Sequence, residues 1–159
     1  FFLSNSEVGD RKLSLTTFLY SYVCGNHIVW NASGVQTFSM RHVGQRVDNF
    51  REEISGAVCE WMETAALPDE SFIRRAKALE LGDSKAEVVD YLFNRRSLAI
   101  GKALAGRAYD AAEEFEDLHG NPRSVWGMAS GLTRISQGAF ADERETIDAA
   151  AGRLLEMVN

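Results

Sequence analysis

Cys24 and His27 stand three residues apart in SYVCGNHIVW, residues 21–30. A thiol beside an imidazole is the make-up of a cysteine nucleophile and its base, provided that the two are within hydrogen-bond reach and a third group orients the base. The local sequence points elsewhere. Gly25-Asn26 is a helix-stop and turn signal that directs the two side chains differently. Cys24 also continues the apolar face set by Tyr20 and Val23. It is read as a packed thiol. Cys59, in apolar surroundings, is read the same way, as a buried thiol of a reducing compartment. His27 and His42 fall on neighbouring predicted strands and, with Glu7, have the donor types of a metal site. No spacing requires one, so neither metal nor cofactor is expected.

GKALAG, residues 101–106, has the glycines of a phosphate loop but not its grammar. That loop needs Gly-Lys-Ser/Thr after the second glycine, between a strand and a helix. Here Arg107-Ala108 follows, inside a predicted helix. Gly101 and Gly106 are expected to admit close helix packing. His119 closes a helix, where an imidazolium would complement the dipole. Glu52-Glu53 and Glu113-Glu114 are adjacent on helices and do not converge on one site. No catalytic set emerges, and the reading leans to a non-enzymatic protein, with an enzyme around Cys24, His27 and His42 as a third class.

Binding chemistry is better represented. Arg41, His42, Arg46 and Arg51 form the densest basic group outside acidic helices, with Phe38 and Trp30 nearby in sequence. Cations that hold phosphates beside aromatic rings that stack bases suit a single-stranded nucleic acid. The same residues also suit a solvated strand edge over core aromatics. The charge is uneven. Residues 1–51 carry a net +2, residues 52–119 a net −7 and residues 120–159 a net −1, for a total of −6. An anionic partner would prefer the first third, although acidic helix surfaces alone give the same asymmetry. Arg95-Arg96 and Arg74-Arg75-Lys77 are read as exposed helix faces.

The elements that must position these groups differ along the chain. KLSL alternates as a half-buried strand does, and HIVW and VQTFSMRHV read as strands around a turn at residues 31–34. Phe18, Leu19, Tyr22 and Val23 instead recur at helical spacing. From Asp48 onward the pattern is helical. Phe50, Ile54, Val58, Trp61 and Met62 form one stripe, and Ser84 with Glu87 is a capping box. Ser97 to Leu118 reads as one long helix, His119-Gly120-Asn121-Pro122 as its stop, and Asp142 with Glu145 as the cap of the last helix. The expected fold class is α+β: a small antiparallel β-sheet in the N-terminal third followed by five or six helices. No linker or repeat divides the chain, so residues 1–159 are read as a single domain, with a sheet region over 1–46 and a helical region over 47–159.

The composition, 45% hydrophobic and 25% charged with two prolines, is that of a globular protein with a core. No run of 18 apolar residues suggests a membrane span, and a cytoplasmic location is expected. The first residue is Phe1, and the sequence is read as the C-terminal portion of a longer chain.

The order of segments resembles that of the phage/plasmid-like proteins carrying the domain of unknown function 932. The resemblance lies in SNSEVGDRKLSLTTFLYSYVCGNHIVW, then RHVG opening a long helix, then SVWGMASGLTRISQ and AGRLL. Its signature positions are Val23, Cys24 and Asn26, the Arg41-His42 pair, and Trp126, Gly131 and Thr133. His27 departs from the small residue expected after the asparagine. The resemblance implies a protein of phages, plasmids and integrated elements, a setting that favours DNA metabolism of mobile elements. The resulting expectation is a non-enzymatic, oligomeric, single-stranded-DNA-binding protein. Arg41, His42, Arg46 and Arg51 would meet phosphates, and Phe38 or Trp30 would meet bases. The alternative is an interaction or regulatory protein that binds a host or phage protein through its helical face.

Overall fold

The computed structural model describes residues 70–158, the backbone of five strand segments between residues 2 and 38, and residues 52, 55, 56, 58, 59 and 63. Six helices account for most of the described chain: α1 (Glu70–Ala78), α2 (Lys85–Asn94), α3 (Lys102–Glu114), α4 (Glu116–His119), α5 (Val125–Ser136) and α6 (Ala141–Glu156). The described residues between 52 and 63 are helical as well.

The α+β fold class is corrected by this arrangement: the described body is all-helical. Among the described residues its core runs from Phe72 to Leu155 and is built from the six helices and their connections. The strand segments do not make one sheet layer. β1 (Phe2–Ser4), β2 (Leu13–Thr16) and β5 (Gln36–Phe38) pair in the order β1-β2-β5, while β3 (Phe18–Tyr20) and β4 (His27–Val29) pair separately. Each pairing is antiparallel and three residues long, and ladders that short do not sustain an independent sheet. The helix expected at Phe18–Val23 is also corrected, since Phe18 to Tyr20 pair with Val29 to His27. Four apolar positions are too few to fix a period, and Phe-Leu-Tyr suits a strand at least as well. β4 lies against α6 and α5.

α5 is the centre of the helical body. Val125, Met128, Ala129, Leu132, Thr133 and Ser136 are all buried, so the helix is covered on nearly every side. Its contacts with other helices are with α3, α6, α1 and α4. Its start is fixed by Ser124, whose hydroxyl accepts the Gly127 N–H at 3.0 Å and donates to the Asn121 carbonyl at 2.7 Å. The α5–α3 approach is close because Gly131 has no side chain there. A β-carbon would sit 2.1 Å from the Ala108 carbonyl oxygen and 3.0 Å from the Ala112 β-carbon. Gly101 and Gly106 do not have the packing role expected of them, since a β-carbon at either meets nothing within 4 Å.

The capping box of α2 forms with one shift. Ser84 Oγ accepts the Glu87 N–H at 3.3 Å, and the Glu87 carboxylate accepts the N–H of Asp83 at 2.8 Å. α6 begins at Phe140, without a side-chain cap, and Asp142 lies in its first turn instead of capping it. There its charge still complements the helix dipole.

The long helix expected over residues 97–118 is the other correction. The chain turns after α2 and becomes helical only at Lys102, with Gly101 as N-cap. Leu98 and Ile100 explain the delay: both are buried, at 0% and 5% exposure. Residues two apart point to different sides of a helix, so a turn over residues 95–99 replaces the helix and brings both side chains to the core. Ala99 between them takes φ +54°, a conformation uncommon outside glycine. The far end of α3 breaks at Phe115, so α4 is a separate single turn, closed by Gly120 at φ +79°.

Candidate nucleic-acid interface

Of the residues expected to bind, Trp30, Arg41, His42, Arg46 and Arg51 lie outside the described residues, as does Cys24. Phe38 ends β5, where it pairs with Leu13, and His27 opens β4, where it pairs with Tyr20. Cys59 is exposed, not the buried thiol expected. Among the described residues no three His, Cys, Asp or Glu side chains gather as a metal would need, and no helix is long and apolar enough to cross a membrane.

A cationic and aromatic cluster does form, at the corner between α2 and α3. Burial of Leu98 and Ile100 anchors this connection to the core and leaves Arg95, Arg96, Ser97, Ala99, Gly101 and Lys102 on the outside. Arg95 ends α2, and its N–H donates to the Leu92 carbonyl at 3.3 Å. Two further turn bonds follow, from Leu98 N–H to the Arg95 carbonyl at 2.9 Å and from Ala99 N–H to the Arg96 carbonyl at 3.3 Å. From α6, Arg153 donates a guanidinium N–H to the Ser97 carbonyl at 3.0 Å.

Each of two cations at the corner lies over a ring. The Arg95 guanidinium is 4.9 Å from the centre of Tyr91 and donates to the Tyr91 hydroxyl at 2.7 Å. Lys102 Nζ is 5.2 Å from the centre of Phe93 and donates to the Asp90 carboxylate at 2.5 Å. Phe93 itself is 47% exposed. Residues 70–158 carry 12 basic and 15 acidic side chains, a net of −3. Four of those basic residues, Arg95, Arg96, Lys102 and Arg153, belong to this one corner. The first turn of α3 holds no acidic residue and no side-chain cap, so its amide dipoles add to the positive field.

The other end of the α2–α3 hairpin has the opposite character. Lys85 pairs with Asp110 and lies 5.8 Å from the centre of Tyr109. The Asp110 hydrogen bond, and then the field of Asp110 and Glu113, hold the Lys85 ammonium above the usual lysine range. Tyr109 is pushed up as well, first by burial and then by Glu113. An anion approaching that end meets acid surplus; one approaching the Arg95–Lys102 end meets cations.

Other polar groups of the helical body have structural work. Asn121 donates to Glu80 at 2.6 Å and accepts the Arg123 N–H at 2.9 Å, while Arg123 reaches the Asp83 carbonyl at 3.1 Å. This clamp ties the end of α1 to the start of α5, where Leu81 and Val125 N–H groups bond across at 2.9 Å each. His119 is buried in the last turn of α4. Burial, followed by the fields of Lys77 and Arg134, holds its imidazole below the usual range. His119 is therefore a neutral side chain at pH 7 and not the dipole-complementing cation expected.

The corner was hidden in the sequence by the helix boundary. With a helix running from Ser97, Arg95-Arg96 read as an exposed helix face and Lys102 only as part of GKALAG. The available signal was Tyr91 four residues before Arg95, with Phe93 between them and a lysine opening the next helix. Comparisons of the chain with protein-family models, with curated proteins and with solved structures find no match. The resemblance in segment order thus rests on the quoted residues alone.

Proposed function

We propose that the protein binds single-stranded nucleic acid without reacting with it, and that the α2–α3 corner is a contact surface for the strand. The observation that carries this reading is the corner itself: Arg95, Arg96 and Lys102 of the α2–α3 connection and Arg153 of α6, with Lys102 over the partly exposed ring of Phe93 and Arg95 over Tyr91, on a body that is otherwise acidic. Phosphates are held by such cations, and an unstacked base has a ring to lie on. Arg41, His42, Arg46 and Arg51, with Phe38 and Trp30, are a second set of the same chemistry in the sequence. The resemblance to phage and plasmid proteins supports a role in DNA metabolism of mobile elements. The test is a titration with oligo(dT) and with a duplex of equal length at two salt concentrations. Tighter binding of the single strand, weakening steeply with salt, is expected. Absence of binding at low salt removes the reading.

A second reading has one observation in its favour. Phe140 is 89% exposed, and Leu118 and Leu79 are 50% and 42% exposed. Large apolar side chains in water suit capture of a host or phage protein through the helical body. Capture that survives Arg95→Ala with Arg96→Ala but fails on Phe140→Ser is the result that favours it.

A further inference from the structure

The cation of the corner that covers the exposed ring is already engaged by an acid of the same protein. Lys102 Nζ donates to Asp90 Oδ1 at 2.5 Å while lying 5.2 Å from the centre of Phe93. Both partners of the pair are more than half exposed, at 57% and 55%. The Asp90 carboxylate occupies the place on Lys102 that a strand phosphate would take, and the amine occupies a face of the ring on which a base would stack. We infer that Asp90 is an internal competitor for the strand. Binding exchanges the Asp90 carboxylate for a phosphate on Lys102, and the same exchange frees a face of Phe93 for a base. This rests on the nucleic-acid reading above and extends it to how the site is tuned and which ligand it prefers.

The magnitudes allow the exchange. An exposed lysine–carboxylate pair is held by a factor of only about two to five in equilibrium constant. A phosphodiester plus a stacked base exceeds that, since stacking on an aromatic side chain alone is worth about tenfold or more per base. A polyanion without bases would gain the phosphate contact but not the stack, so the arrangement favours a strand with unstacked bases over a bare chain of charges. The pair at the far end of the hairpin lacks this property. Lys85 lies in the field of both Asp110 and Glu113, and its ring, Tyr109, is buried.

The experiment is a double-mutant cycle on the full chain, with oligo(dT) titrated into wild type, Asp90→Asn, Lys102→Ala and the double variant over a range of salt. Asp90→Asn is expected to tighten binding about two- to fivefold. It also steepens the slope of log K against log salt by up to about 0.7, since no displaced carboxylate takes up a counterion in exchange. Both gains are expected to vanish when Lys102 is alanine. Asp117→Asn, the same charge change on α4, serves as the control for the protein's general field. Equal tightening by Asp90→Asn with and without Lys102, or by Asp117→Asn, would overturn the inference, as would no tightening at all. An abasic strand of the same length bound as tightly as oligo(dT) by Asp90→Asn would overturn the part concerning Phe93. Failure of wild type to bind any strand is a different result: it overturns the nucleic-acid reading, and the inference falls with it.

Discussion

Gly131 of α5 lies against the main-chain carbonyl of Ala108 on α3, 2.1 Å from where a β-carbon would be. Backbone therefore packs on backbone at the centre of the body, and neither partner is a flexible side chain that can move aside. Gly131→Ala is expected to lower unfolding free energy by about 2–3 kcal/mol or more, by overpacking. Gly106→Ala, also inside a helix but with open space around it, is expected to raise it by about 0.5–1 kcal/mol. Urea unfolding of the two variants should move the midpoint in opposite directions.

The contrast between these glycines also marks where the sequence was readable. Ser84 with Glu87 and Gly120-Asn121-Pro122 are local signals, and the helix boundaries they predict are found. Which glycine meets another helix is a matter of long-range packing, and local spacing favoured Gly101 and Gly106 for it wrongly. The start of α3 was misplaced for a related reason. Leu98 and Ile100 look helical among their small neighbours, yet both are buried through a turn that passes Ala99 at φ +54°. The misplaced boundary then concealed the corner, since it put Arg95 and Arg96 on helix faces instead of at the start of an irregular connection that ends at Lys102. The α+β expectation weighed the alternating segments as a sheet, whereas the core is closed by helices.

The clamp between α1 and α5 should depend on Asn121 more than on any charge near it. Its side chain bridges Glu80 and the Arg123 backbone in a half-buried setting, so Asn121→Ala leaves partners unsatisfied and should cost about 1–3 kcal/mol. Lys85→Ala breaks an ion pair whose side chains are 49% and 58% exposed and should cost under about 1 kcal/mol. Thermal unfolding of both variants, in one buffer, ranks them.

His119 gives the helical body a pH dependence of definite sign. Burial, then Lys77 and Arg134, lower its folded pKa below the ordinary 6.5. The unfolded chain thus takes up the proton first. Stability from the neutral imidazole is fully present above about 6.5 and is lost progressively as pH falls from there toward the folded value. His119→Gln is expected to flatten this segment of the stability–pH curve. Denaturant titrations at closely spaced pH values between neutral and mildly acidic, for wild type and variant, measure it.

The central claim is that the α2–α3 corner holds a nucleic-acid strand by its phosphates. The most direct measurement is the salt dependence of oligo(dT) affinity for wild type and for Arg95→Ala with Arg96→Ala. Each phosphate contact on a single strand contributes about −0.7 to the slope of log K against log salt. Loss of both arginines is predicted to weaken binding at low salt and to make the slope shallower by about 1.4. Equal affinity and equal slope for the two proteins would contradict it.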